Sequence, residues 1–180
     1  MLYSPFSDSM VDWLSRDRVT AVLAANVQFE SGTAYVHSGT GTLVLGDING
    51  DMLRVGRDRM TDRGFVRGFE YVQCNAERLP FPDASFDLVV LMHALTYSAK
   101  PAQAVAEAAR VLRSGGLLVV ADFDRHTQER MRLDYGDLWL GFDEATMARL
   151  LHAASFEVVS TTRYPVEQGL ALNLTLARRL

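Results

Sequence analysis

"SGTGTLVLGDING", Ser38–Gly50, runs a small glycine–threonine turn straight into a short apolar strand that ends on an aspartate. Leu43–Asp47 is apolar and bounded by glycines, the pattern of a buried strand. Each half reads as a fragment of a nucleotide site. Glycines such as Gly39 and Gly41 let backbone approach a ligand closely, and a carboxylate at a strand end, here Asp47, can accept two hydrogen bonds from a ribose diol. Only Thr42 separates the two halves, which is too little chain for a helix between them. An aspartate at a strand end is also an ordinary turn former, so the surroundings must decide.

Downstream, short apolar runs alternate with amphipathic stretches. Asp51–Arg63 reads as a helix with Met52, Leu53, Val55 and Met60 apolar, stopped at Gly64. Phe69–Cys74 and Phe86–Met92 read as strands, the second so rich in Leu and Val that both its faces should be covered. Pro101–Leu112 is an alanine-rich helix with Pro101 in its first turn and Gly115-Gly116 beyond its end. Leu117–Phe123 follows as a strand, then helices over Thr127–Tyr135 and Asp143–Ala154, the latter opening on an aspartate cap. Phe156–Thr162 and Ala171–Ala177 close the chain as a hairpin turning around Pro165 and Gly169. This order predicts an α/β layered sandwich with a mainly parallel sheet and a C-terminal antiparallel hairpin. The first forty residues support two readings: Ser9–Ala25 as a helix interrupted by Arg16, Asp17 and Arg18, or a strand within Val19–Phe29.

The bulk composition agrees with one globular domain. The chain has 180 residues, 48% of them hydrophobic and 22% charged. A net charge of −4 with scattered arginines gives no phosphate-tracking surface, so nucleic acid is not an expected partner. A single cysteine, Cys74, excludes an internal disulfide and points to a reducing, cytoplasmic setting. No apolar run has the length of a membrane span. His126 and His152 lack companions at metal-ligand spacing, and no metal is expected.

In a parallel α/β sheet, ligands bind beyond the carboxyl ends of the strands. That rule singles out Asp47, Cys74–Glu77, Met92–Tyr97 and Asp122–Asp124. The stretch "YVQCNAERLPFPDASFDLVVLMHALTYSAKPAQAVAEAARVLRSGGLLVVADF", Tyr71–Phe123, resembles the central and later motifs of class I S-adenosylmethionine-dependent methyltransferases. "GDINGDMLRVGRDR" and "FEYVQCNAERLPFPD" are similar to the quinone-pathway C-methyltransferases. "LDYGDLWLGFDEATMARLLHAASFEVV" is similar to methyltransferase domains fused to arsenic-repressor-type regulators, although no such DNA-binding domain is visible in this sequence. The resemblance spans Leu43 to Arg179, and its motifs in series are more specific than any one alone.

The resemblance implies a Rossmann-like three-layer sandwich and methyl transfer from S-adenosylmethionine to a small-molecule acceptor. By position, Gly39 and Gly41 match the tail of the cofactor turn and Asp47 the acidic residue that holds the ribose. Ile48 falls beside the adenine, and Asn75 and Ala76 border it. Met92 and His93 match positions facing cofactor and acceptor. Pro80-Phe81-Pro82, Asp87 and Gly115-Gly116 match structural parts of the pattern. His93 is the candidate base where the acceptor must lose a proton, since imidazole titrates near neutrality; hydrogen bonding within the pocket is the equal alternative. Tyr97 and Tyr135 are candidates to shape the acceptor cavity, or core residues.

One departure divides the reading. The family places a strand, a glycine-rich turn and a helix ahead of the acidic strand, and here that unit is shortened. The organisation expected is an atypical segment, residues 1–42, packing on a methyltransferase-like domain, residues 43–180. Three arrangements answer the shortfall. In the first, N-terminal residues fold back to replace the unit in a working enzyme. The second is a binding or regulatory protein with weak or lost cofactor affinity. The third is an obligate homodimer whose partner covers the apolar surface left behind.

Overall fold

The acidic strand lies next to a strand that precedes it in the chain. In the computed structural model, residues 21–25, 42–62, 64, 67–166 and 169–180 are described. Strand β1 (Ala21–Ala25) pairs in parallel with β2 (Thr42–Asp47) on one side and with β4 (Phe86–Met92) on the other. The strand that seemed absent ahead of Asp47 is therefore present, drawn from the apolar run after Val19. The helical alternative fails for residues 21–25. Parallel neighbours require a crossover of about a dozen residues or more, and residues 26–41 give that length. Gly39 and Gly41 lie outside the described residues.

From β2 the chain continues through α1 (Gly50–Asp62) to β3 (Phe69–Gln73), which pairs with the outer side of β2. It then crosses back over β1 to reach β4, followed by α2 (Ala94–Tyr97) and α3 (Pro101–Val111). Strand β5 (Leu112–Phe123) is parallel to β4, and α4 (Arg130–Tyr135) and α5 (Glu144–Ala153) follow it. Strands β6 (Phe156–Pro165) and β7 (Ala171–Arg179) form the hairpin, with β7 antiparallel to β5. The sheet order is β3-β2-β1-β4-β5-β7-β6. Order reverses between β1 and β4, and in open α/β sheets that crevice is where ligands bind.

Side chains alternate across a strand, and here both faces are buried. Val44, Val89, Leu91, Leu118 and Val120 face one core with Ala104, Val105, Ala108 and Val111 of α3 and Met147 and Leu151 of α5. Leu43, Leu45, Leu88, Val90, Leu117 and Val119 form the core of the opposite face.

Local signals explain the boundaries. Pro101 opens α3, where a missing N–H costs nothing. The Asp143 carboxylate accepts the Thr146 N–H at 2.7 Å and caps α5. The Arg110 guanidinium fastens the loop before β4, donating to the Leu79 and Phe81 carbonyls and to Glu107 and Asp83. Strand β5 begins five residues earlier than its apolar pattern, taking in Gly115 and Gly116, with a register break between Phe86 and Leu88 of β4.

Candidate functional site

Register brings the candidate residues to one edge. Ala25 of β1 is level with Gly46 of β2 and Leu91 of β4, so Asp47 and Met92 both stand one residue beyond it. They are two strand spacings apart, about 10 Å. Asp47 is in turn level with Gln73, which places Cys74–Glu77 beside it.

The Asp47 side chain is 7% exposed. Its Oδ1 accepts the Asn49 N–H at 2.7 Å, and its carbonyl accepts the Cys74 N–H at 2.9 Å. Burial raises its pKa, partly offset by the backbone N–H groups of Asn49 and Ile48. Burial and the nearby Asp47 charge push the Cys74 thiol up to about 11, so it is an un-ionised thiol and no nucleophile at neutral pH. Ile48 is 67% exposed, and its carbonyl accepts from Gln73 Nε2. The Asn75 Oδ1 accepts the Glu77 N–H, forming a turn that leaves Asn75 outward and Ala76 packed against the core. Asn75 and Ala76 are therefore gathered next to Asp47, as the sequence suggested.

Met92 is half-buried, and His93 sits just past it in the left-handed region, φ 49°. Non-glycine residues rarely adopt that conformation, and it turns the chain sharply from β4 into α2. His93 is level with Asp122 because Met92 pairs with Ala121. Its Nδ1 stands 3.9 Å from Asp122 Oδ1, and its ring lies 4.6 Å from that of Phe123. Burial lowers its pKa to about 4, so the imidazole is neutral at physiological pH.

Asp122, 1% exposed, is a residue the sequence reading placed at a strand end without a role. Its Oδ2 accepts the Leu95 and Thr96 N–H groups and its Oδ1 the Phe123 N–H, so it anchors the first turn of α2. Burial pushes its pKa up to about 7 against those hydrogen bonds.

Beyond β5 a second polar group gathers under a strap, residues 138–142. The Leu138 and Trp139 N–H groups donate to the Thr96 carbonyl, and Trp139 Nε1 donates to the Ser98 carbonyl. The His126 N–H donates to the Leu140 carbonyl, and the Phe142 N–H to that of Phe123. Gly141, φ 75°, is required: a Cβ there would stand 2.3 Å from the Asp124 carbonyl oxygen. Beneath the strap lie His126, its ring 5.7 Å from Phe123, and Asp137, which no sequence signal marks. Tyr97 stands beside Asp137.

The strand order, the antiparallel β7 inserted between β5 and β6, and a buried acid at the end of β2 define the class I methyltransferase fold. A family profile described as "Methyltransferase domain" matches residues 29–120, just over half of the sequence, and the chain belongs to that family.

Among curated relatives, the chain is 55% identical over 89 residues to the ubiquinone/menaquinone biosynthesis C-methyltransferase UbiE of Xanthomonas oryzae pv. oryzae. That match covers 49% of this chain and 35% of the relative. The Pseudomonas fluorescens protein of the same name is 45% identical over 96 residues, 53% of this chain and 38% of the relative. The chain thus matches little more than a third of the length of these curated relatives.

Solved structures align over nearly the whole chain. A SAM-dependent methyltransferase from Methanosarcina mazei has a TM-score of 0.73 at 18% identity, covering 97% of this chain and 98% of that one. A Burkholderia thailandensis 1,6-didemethyltoxoflavin-N1-methyltransferase, solved with S-adenosylhomocysteine, has a TM-score of 0.73 at 21% identity, covering 95% and 75%. At such identities the likeness is one of fold.

Proposed function

We propose that the protein transfers a methyl group from S-adenosylmethionine to a small-molecule acceptor. The observation that carries this reading is the buried Asp47 carboxylate at the end of β2, beside the crevice where strand order reverses. The donor set suits that cofactor: Asp47 accepts from the ribose diol, while Ile48 and Ala76 offer apolar contact to the purine with Asn75 at its edge. Gly39 and Gly41 are assigned to cofactor binding from the sequence resemblance alone. When bound there, S-adenosylmethionine would supply a sulfonium methyl group as the electrophile, with sulfur as the leaving group.

The protein's part is alignment and the exclusion of water. Met92 and His93 are assigned to the wall between cofactor and acceptor. With a pKa near 4, His93 is a weak base. A proton moved to it at pH 7 costs about 4 kcal/mol, three pK units at about 1.4 each. The lowered value supports a neutral hydrogen-bonding role, aligning the acceptor, over that of a base.

The match to the quinone-pathway enzymes covers about half of the chain, so the reading takes methyl transfer from them and leaves their acceptor aside. Among the described residues no helix is long and apolar enough to cross a membrane. A cytoplasmic setting is part of the proposal, supported by the lone cysteine. Homodimer formation is tested separately: light scattering that shows a monomer at every concentration removes it. Calorimetric titration with S-adenosylmethionine and S-adenosylhomocysteine tests the central reading, and no binding at millimolar ligand rejects it.

A further inference from the structure

The polar group under the strap is a buried cluster that the methyl-transfer reading leaves unused. Asp137 is 3% exposed, and neither carboxylate oxygen has a partner in hydrogen-bonding geometry among the described residues. Burial raises its pKa, and the Tyr97 hydroxyl and the His126 imidazole pull it partly back. The His126 Nδ1 accepts the Gln128 N–H at 3.2 Å, which fixes the proton of the neutral ring on Nε2. That Nε2–H is also buried without a partner among the described residues. A buried donor and a buried acceptor left unmade are costly, and the His126 ring packs on Phe123, which in turn packs on His93 at the end of β4. The family profile ends at residue 120, so this pair belongs to the part of the chain the profile does not cover.

We propose that His126 and Asp137 are the acceptor-recognition pair of this chain. They take a neutral group that accepts one hydrogen bond and donates another, a hydroxyl or the C=O/N–H edge of a lactam, and they turn away carboxylates. The inference rests on the methyl-transfer reading and adds the acceptor's chemistry to it. His126 Nε2–H meets the accepting atom, and the Asp137 carboxylate meets the donated proton. An anion at the same place takes the His126 Nε2–H but sets its own charge against the Asp137 carboxylate.

The test uses the full chain with S-adenosylhomocysteine and two probe pairs, read by calorimetry or ligand-detected NMR. These are 4-methylphenol against 4-methylanisole, and 2-pyridone against N-methyl-2-pyridone, with 4-methylbenzoate as the anion. The expected result is that at least one donor–acceptor probe binds tenfold or more tightly than its methylated partner, and that 4-methylbenzoate binds at least tenfold more weakly than that probe. The pair that discriminates tells hydroxyl from lactam. Asp137→Leu and His126→Phe should each cut the preference to threefold or less, and Asp137→Asn should admit 4-methylbenzoate at least tenfold better. Because the carboxylate is buried without full partners, Asp137→Asn should melt at or above the wild-type temperature. Equal binding within both pairs, no probe binding, continued exclusion of 4-methylbenzoate by Asp137→Asn, or a lowered melting temperature for that variant overturns the proposal. Absence of S-adenosylhomocysteine binding overturns the methyl-transfer reading and the acceptor role with it. S-adenosylhomocysteine binding without probe discrimination overturns this proposal alone.

Discussion

Replacing Asp47 tests the cofactor assignment at its anchor. The side chain has two oxygens at the mouth of β2, one already accepting the Asn49 N–H at 2.7 Å. A ribose diol would add two hydrogen bonds to a charged, 7% exposed acceptor, and hydrogen bonds to charged groups contribute about 1.5–3 kcal/mol each. Asp47→Ala should therefore cost about 3–6 kcal/mol of S-adenosylhomocysteine affinity, roughly 100- to 10,000-fold in Kd. Asp47→Asn keeps one acceptor oxygen and its bond to Asn49, and should cost about half that free energy.

Burial already disfavours the Asp47 charge in the unliganded protein, so Asp47→Asn should leave the melting temperature unchanged or slightly raised. Binding and stability then move apart, which a general loss of structure would not produce. Isothermal titration with S-adenosylhomocysteine and its 2′-deoxy form closes a cycle. The wild type should discriminate between the two ligands, and Asp47→Ala should not. A folded Asp47→Ala variant whose affinity changes less than threefold, or which still discriminates, refutes the ribose assignment.

Other outcomes follow from the same geometry. The fold favours protonated Asp122, with its pKa near 7, so that contribution is full below the ordinary carboxylate value near 4 and is lost as pH rises towards 7. It favours neutral His93, with its pKa near 4, so that contribution is full above 6.5 and is lost as pH falls towards 4. Between pH 4 and 6.5 the two slopes oppose each other, at up to about 1.4 kcal/mol per pH unit each. Urea denaturation of Asp122→Asn should show stability rising with pH relative to wild type, and His93→Gln the reverse; parallel curves for all three proteins contradict both assignments. Gly141→Ala must move the Asp124 carbonyl and hold a non-glycine residue at φ 75°, and should lose about 2 kcal/mol or more by thermal melting. Arg110→Ala removes the donor to Leu79, Phe81, Glu107 and Asp83. It should cost about 2 kcal/mol in urea denaturation, and a loss below about 0.5 kcal/mol would place that network among exposed pairs of little weight.

The sequence was most legible where side-chain pattern and burial coincide. Phe86–Met92 was read with both its limits, because a run of Leu and Val covered on two faces admits few alternatives. Asp143 announced its helix through a cap that the structure contains. The start of β5 was missed because Gly115 and Gly116 look like a stop, whereas pairing at Leu112 draws them into the strand. Strand β1 was left undecided because five small and apolar residues carry no period that separates helix from strand. Its partners, β2 and β4, settle the matter from a distance.

At the candidate site, Asp47, Asn75, Ala76, Met92 and His93 were legible as strand-end residues, since parallel register carries strand ends to one edge. Asp122 has its geometry only through α2, a four-residue helix too short to leave a pattern. Asp137 lies among "GDLWLG", where nothing in the spacing separates a buried carboxylate from a turn former.

The place of β1 has a consequence for how the polypeptide is made. Its five residues form the middle of the sheet, yet Val22 must wait for Leu88 before its second edge is closed. At translation speeds of about 5–20 residues per second, that is a delay of roughly 3–13 s with an apolar strand edge open. Until β4 emerges from the ribosome, the nascent chain holds half a sheet whose exposed edge can pair with any other extended strand. Synthesis slowed between β3 and β4 lengthens that exposure, and the yield of native protein should fall through aggregation before any loss of finished-fold stability is felt.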